Sequence, residues 1–167
     1  CTRVNVVTFD DVIEAGREVA ETLRMVEGSI AVSESAAGGL INAALVAIPG
    51  ASDFYKGGMV VYTSAGRDVL SGTGPLPNNL RGATEDFAMV QADRARRLYG
   101  ADWGIGETGA TGPAGNPYGD PPGVGWVACS GAIDATLELN TGLNDRKLNM
   151  YAFAIAALEL TVRTIKA

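Results

Sequence analysis

The sequence predicts an α/β fold with helices on both faces of a largely parallel sheet. Two observations carry that expectation. Stretches with apolar residues at helical spacing alternate with short apolar runs bounded by glycine along the whole chain. Of the 167 residues, 47% are hydrophobic and 19% charged, enough apolar side chain for one sizeable core. No break in composition and no repeat with a period of about 20–50 residues divides the chain, so residues 1–167 read as a single domain.

The elements follow in order. After an apolar stretch at Val4–Val7, Thr8 or Asp10 can cap a helix in which Val12, Ile13, Val19, Leu23 and Met25 recur to about Val26; Gly28 stops it. Ser29–Ser33 reads as a short buried strand. Gly38 and Gly39 open a helix of small residues, Leu40–Ile48, which Pro49 and Gly50 end. Gly57–Tyr62 is a second strand, Ala65–Leu70 a short helix, and Pro75 and Pro77 mark a loop. Thr84 begins a helix with Phe87, Val90, Ala95 and Leu98 on its apolar face, and Gly100 stops it. A strand at Trp103–Glu107 leads into a Gly/Pro-rich loop, Gly109–Gly123. A loop of that length in a compact domain points to function or disorder. Strands at Gly125–Ser130 and about Thr136–Leu139 follow. A terminal helix runs from Asn144, with Leu148, Tyr151, Ile155, Leu158 and Val162 at helical spacing.

Composition excludes several functions. Thirteen basic and 19 acidic residues give a net charge of −6, which argues against nucleic-acid binding, since that binding draws on Lys and Arg contacts to phosphates. It leaves room for a small anionic ligand in a local pocket. No run of about 20 apolar residues suggests a membrane span. The chain has no histidine, which removes Ser-His-Asp and Cys-His catalysis and every His-ligated metal; its two cysteines, Cys1 and Cys129, are too few for a zinc site. No metal is expected. Cys129 reads as a small core residue, and Cys1 stands where an initiator Met would be expected. With no signal-peptide pattern, a reduced, cytoplasmic setting is the plain expectation.

Two patterns mislead. Gly104–Gly109 matches GxGxxG, yet a dinucleotide fingerprint needs a helix opening in that turn, and Ala110–Pro117 carries two prolines and two glycines instead. Gly-X-Y triplets begin at Gly109, Gly112 and Gly115 but fail at Gly119, so the loop is not collagenous. Arg94, Arg96 and Arg97, near a helix C-terminus, suit the helix dipole and are expected to face water.

Ser33–Gly39 is the informative segment. A strand enters it and a helix leaves it, two glycines allow close approach of a ligand, and N–H groups at a helix start favour an anion. Ser35 at this turn is either a nucleophile with backbone amides at Gly38, Gly39 or Gly109 holding an oxyanion, or a plain helix cap.

The chain resembles the CinA C-terminal amidase domain family, also called nicotinamide-nucleotide amidases. Ser33–Gly39 aligns with the family's A-E-S-C-T-G-G, Pro49–Ser52 with P-G-[AS]-S, and Gly57–Arg67 with its G-G/Y-S-N-E-A-K stretch. Gly82–Glu85 is similar to G-A-V-S-E, Thr108–Pro113 to S/T-G-I-A-G-P, Pro121–Trp126 to P-V-G-T-V-W, and Asn144–Arg146 to G-D-R. Order and spacing hold over nearly the whole chain. The resemblance implies a three-layer α/β/α sandwich around a mixed, mostly parallel sheet. It implies hydrolysis of the carboxamide of nicotinamide mononucleotide to nicotinic acid mononucleotide and ammonia, without a cofactor. It places a nucleophile at Ser35, assisting groups at Tyr62 and Arg67, and a phosphate contact at Arg146. Glu34, Gly38, Gly39, Thr108, Gly109 and Thr111 are expected to bind substrate, and a homo-oligomer is expected.

The chain departs from the family pattern at three places. Arg67 stands in the position of the family's lysine, and arginine does not serve as a general base. Lysines occur only at Lys56, Lys147 and Lys166. Ala36 and Ala37 replace a thiol and a hydroxyl. Glu107 replaces an apolar strand residue and is a substitute base, a partner for an arginine such as Arg67, or a solvated strand end. These departures raise an alternative: a non-catalytic member that binds a nucleotide or related metabolite.

Overall fold

The computed structural model describes residues 7–167. Cys1 and residues 4–6 of the first apolar stretch lie outside them. Helix α1 (Phe9–Met25) leads to strand β1 (Ile30–Glu34), helix α2 (Leu40–Val46), a 3-10 turn (Ala51–Asp53) and β2 (Tyr55–Val60). A 3-10 segment (Ala65–Thr73) precedes α3 (Glu85–Tyr99), β3 (Trp103–Gly109), β4 (Val124–Ser130), β5 (Ala135–Asn140) and α4 (Arg146–Lys166).

The expected elements are present, with ends moved by a few residues. Thr8 caps α1: the Asp11 carboxylate accepts from its backbone N–H at 2.7 Å and its hydroxyl at 3.0 Å. The segment expected as a short α-helix at Ala65–Leu70 winds instead as a 3-10 helix to Thr73, where Gly66 and Gly72 weaken α-helical propensity.

The sheet has five strands in the order β2-β1-β3-β4-β5. β1 is parallel to β2 and to β3, whereas β4 is antiparallel to both β3 and β5. Four strands therefore share one direction and β4 opposes them. No helix separates β3 from β4 or β4 from β5, and residues 131–134 are too few for a parallel crossover, so this half of the sheet is a meander.

Helices α1, α2 and α4 cover one face, and α3 with the 3-10 segment covers the other. Glycines set the spacing of the α3 layer. A Cβ on Gly104 would lie 2.0 Å from the Ala92 carbonyl oxygen, and one on Gly106 would lie 1.9 Å from that of Ala88. The GxGxxG pattern is thus a packing device: alternate residues of β3 lack side chains so that the α3 backbone can lie against them.

The opposite face carries the main core. Ile30, Val32, Ile105 and Val127 meet Leu23, Ile41, Leu45, Phe153 and Leu158, all fully buried. Each such side chain contributes about 1.5–3 kcal/mol through burial. Cys129 packs here as a small apolar residue, its thiol pushed up to about 12 by burial. By length and composition α4 could cross a membrane; in this fold, half of its most apolar stretch is buried, and it packs on α1 and the sheet.

Arg94 departs from the solvent-facing role expected of it. It is half-buried and donates to Thr73 Oγ1 at 2.7 Å and to the carbonyls of Gly74 and Pro75, stapling the loop after the 3-10 segment to α3. Arg96 and Arg97 pair with Asp93 on the helix surface.

Candidate active site

Three parallel strands, β2, β1 and β3, end side by side, and the chain leaves them at Tyr62, Ser35 and Gly109. Crevices at the carboxyl ends of such strands are where open α/β sheets bind ligands. Here a cavity of about 340 Å³ is lined by Ser35, Tyr62, Arg67, Thr108, Gly109 and Tyr118, among others. That volume lies within the range of small-molecule sites. A larger groove of about 740 Å³ runs between α3 and the loop at residues 77–81 but does not include Ser35.

The geometry of the turn removes the helix-cap role from Ser35. Gly38 and Gly39 have φ of 68° and 101°, values that L side chains rarely adopt. The hydroxyl of Ser35 has no hydrogen-bond partner among the described residues, so it does not cap α2. Glu34 does that work. Its Oε1 accepts from Gly39 N at 2.6 Å and Ile41 N at 3.3 Å, and its Oε2 from Asn42 N at 2.8 Å and Asn42 Nδ2 at 2.7 Å. Burial pushes the Glu34 carboxyl up, and these donors oppose that shift.

Three sequence expectations are corrected here. Glu34 is 0% exposed and spends its carboxylate on the start of α2, which leaves no oxygen for substrate. Gly38 and Gly39 are not oxyanion donors: the first gives its N–H to the Ser35 carbonyl at 3.1 Å and the second gives its N–H to Glu34. Thr111 is buried away from the cavity, and its carbonyl accepts from Asn149 Nδ2 at 2.9 Å.

Glu107 is neither an arginine partner nor a solvated strand end. It is 0% exposed, and its Oε2 accepts from Ser35 N and Ala37 N at 2.9 Å each. Burial pushes its carboxyl up to about 8, with the Glu34 charge adding to the shift against the pull of the amides. Arg67 turns elsewhere. Its Nη1 donates to the Leu80 carbonyl at 2.8 Å, its Nη2 reaches the Tyr118 hydroxyl at 3.5 Å, and its guanidinium lies 4.6 Å from the centroid of the Phe87 ring.

Two hydroxyls on the wall are set up as donors. Thr108 Oγ1 accepts from Ala83 N at 2.9 Å, and the Tyr62 oxygen accepts from Arg146 Nη2 at 2.7 Å. Each keeps its own hydrogen for a ligand. Arg146 does not line the cavity but stands on its rim through Tyr62, and its Nη1 holds the Gly112 carbonyl at 2.7 Å. The cavity wall carries one guanidinium and no carboxylate. Such a wall favours an anionic, acceptor-rich ligand.

Sequence reasoning missed the roof. The Arg81–Asp120 pair at 2.6 Å, with Asn116 Nδ2 on Asp120 at 2.8 Å, ties the Gly109–Gly123 loop to the segment before α3. The Arg81 guanidinium lies 5.1 Å from the centroid of the Tyr118 ring, which this loop brings to the cavity. The Asn116–Asp120 turn signature was visible, but the distant arginine that fixes it was not.

Residues 13–165 match the model of the CinA C-terminal domain. A "CinA-like protein" of Salinibacter ruber is 34% identical over 162 residues, covering 93% of this chain and 39% of the relative. A "CinA-like protein" of Desulfosudis oleivorans is 31% identical, covering 89% of this chain and 36% of that protein. The chain thus spans about two-fifths of the length of these relatives. Among solved structures, the competence/damage inducible protein CihA from Agrobacterium tumefaciens is 27% identical with a TM-score of 0.83, covering 94% of this chain and 96% of its own. A CinA superfamily protein from Klebsiella pneumoniae, at 24% identity, has a TM-score of 0.84 and matches the fold over 93% of this chain and 98% of its own.

Proposed function

The chain belongs to the CinA C-terminal domain family, and from that premise we propose that it is an amidohydrolase acting on the carboxamide of a pyridine mononucleotide, nicotinamide mononucleotide first among them. The observation that carries this reading is the unpartnered Ser35 hydroxyl in a cavity whose wall is rich in donors and free of carboxylates. Ser35 Oγ attacks the carboxamide carbon, and the amide nitrogen leaves as ammonia. Water then releases nicotinic acid mononucleotide from the serine ester. Thr108, Tyr62 and Arg67 offer hydrogen-bond donors to the oxyanion and to the ligand, and Arg146 stands where a phosphate can reach the rim. Serine and water supply every atom of the hydrolysis, so the reading needs no cofactor.

The Ser35 proton is the weak point. Arginine does not serve as a general base, and no lysine lines the cavity. That observation favours a second reading, in which the cavity binds the nucleotide without turning it over. Incubation with nicotinamide mononucleotide, with ammonia measured against a Ser35→Ala control, separates the two. Ammonia release abolished by the substitution supports the amidase. Ligand-induced thermal stabilisation without ammonia supports binding alone, and neither effect defeats both.

A further inference from the structure

Beneath the Ser35 turn lies a side chain that the chemistry above does not use. Glu107 leaves β3 on the face opposite Gly106, fully buried, with Oε2 on two turn amides and Oε1 unpartnered among the described residues. An unpaired buried carboxyl oxygen is costly, so its neighbours must hold it in place. Ala36 and Ala37, 3% and 0% exposed, form the turn above it, and their methyl groups are small enough to let the backbone settle onto the carboxyl. Compared with the family motif, polarity has moved from the turn, where two alanines stand, to the strand beneath it.

We propose that Glu107 is a positioning residue for Ser35: from inside the core it draws the Ser35 and Ala37 N–H groups inward and so turns the Ser35 hydroxyl to the cavity. The kinetic consequence rests on Ser35 acting as nucleophile, whereas the positioning itself does not. With these amides committed to Glu107, stabilisation of an oxyanion falls to the wall, through its side-chain donors or the Gly109 N–H. The charged group that acts on Glu107 is Glu34, from β1. On the same face of the sheet, Cys129 of β4 keeps its proton, and α1, α2 and α4 bury no titratable side chain. Burial brings the Glu107 proton into exchange near neutral pH, and an ionised carboxylate holds both amides more strongly than the acid does.

Amide NMR of the ¹⁵N-labelled protein tests this without any substrate. The Ser35 and Ala37 resonances are expected to titrate together with one midpoint well above the ordinary glutamate range, and to stop doing so in Glu107→Gln. Amides that stay still in the wild type, or titrate alike in Glu107→Gln, would overturn the proposal. On nicotinamide mononucleotide, Glu107→Leu, which removes the acceptor, should lower kcat roughly 10–100-fold with KM nearly unchanged. Glu107→Gln, which keeps an acceptor oxygen, should restore most of the rate but lose the wild-type pH dependence. A fully active Glu107→Leu enzyme would also overturn the proposal. Should Glu107→Leu fail to fold, the Gln variant still decides by amide titration. A wild type without amidase activity would sink the functional reading and leave the amide test intact.

Discussion

Arg146 and Tyr62 lie 84 positions apart in the chain and meet at the cavity rim, where the guanidinium donates to the phenol oxygen at 2.7 Å. The same arginine holds the Gly112 carbonyl, so α4, the end of β2 and the Gly109–Gly123 loop are joined through one side chain. An arginine in the first turn of a helix opposes the dipole, and these acceptors offset that cost. Arg146→Ala should raise KM for nicotinamide mononucleotide by about 10–100-fold, or about 1.4–2.8 kcal/mol. Nicotinamide riboside, which lacks the phosphate, should lose much less. Equal losses on both substrates in steady-state assays would assign Arg146 to holding Tyr62 rather than a phosphate.

Arg67→Lys tests whether a proton acceptor is what the site lacks. If a lysine there can take the Ser35 proton, kcat should rise by roughly 10²–10⁴. The substitution also loses the contact with the Phe87 ring and the Leu80 hydrogen bond, together about 1 kcal/mol, so Tm should fall by about 2–4 °C. A rate equal to wild type with that fall in Tm would show that the family's lysine is not the missing group.

Stability should fall as pH rises toward 8. Folded Glu107 keeps its proton to about 8, whereas the unfolded glutamate gives it up near 4.5. The stabilisation is fully present below the unfolded value and is lost as pH climbs to the folded one. Glu34, also raised, acts in the same sense. Asp102 and Asp120, both lowered by hydrogen bonds, act on the acid side, where stability drops as they are protonated. Thermal melts of wild type from about pH 5 to about pH 8.5 should show a declining Tm, and Glu107→Gln should flatten most of the decline. Parallel slopes in the two proteins would place the proton elsewhere.

Gly106→Ala should be among the most damaging small substitutions. Its methyl would sit 1.9 Å from the Ala88 carbonyl oxygen, so α3 must move off the sheet, at a cost of about 3 kcal/mol or more. Gly66→Ala, whose nearest neighbour is 3.7 Å away, serves as a near-neutral control. Urea denaturation midpoints measure both, and a Gly106→Ala midpoint matching the control would refute the close-packing account.

The amino-acid sequence by itself determined the elements and their class. Apolar periodicity marked α1, α3 and α4, glycine and proline marked their ends, and the turn at Ser33–Gly39 stood out because a strand enters it, a helix leaves it and two glycines stand between. These are local properties, written in residues within a turn or two of one another. What the tertiary structure alone decided is where buried polar groups find partners. Glu34 stands beside the candidate serine in sequence and Glu107 lies 72 residues from it, and nothing local said that one would cap α2 and the other would hold the Ser35 turn from below. Whether Arg67 faced Glu107 or Phe87, and whether Thr111 faced the cavity or Asn149, turned on which strands lie side by side. Pairings across 70 to 84 residues follow from sheet order and layer spacing, and the packing of α3 against Gly104 and Gly106 sets that spacing at β3.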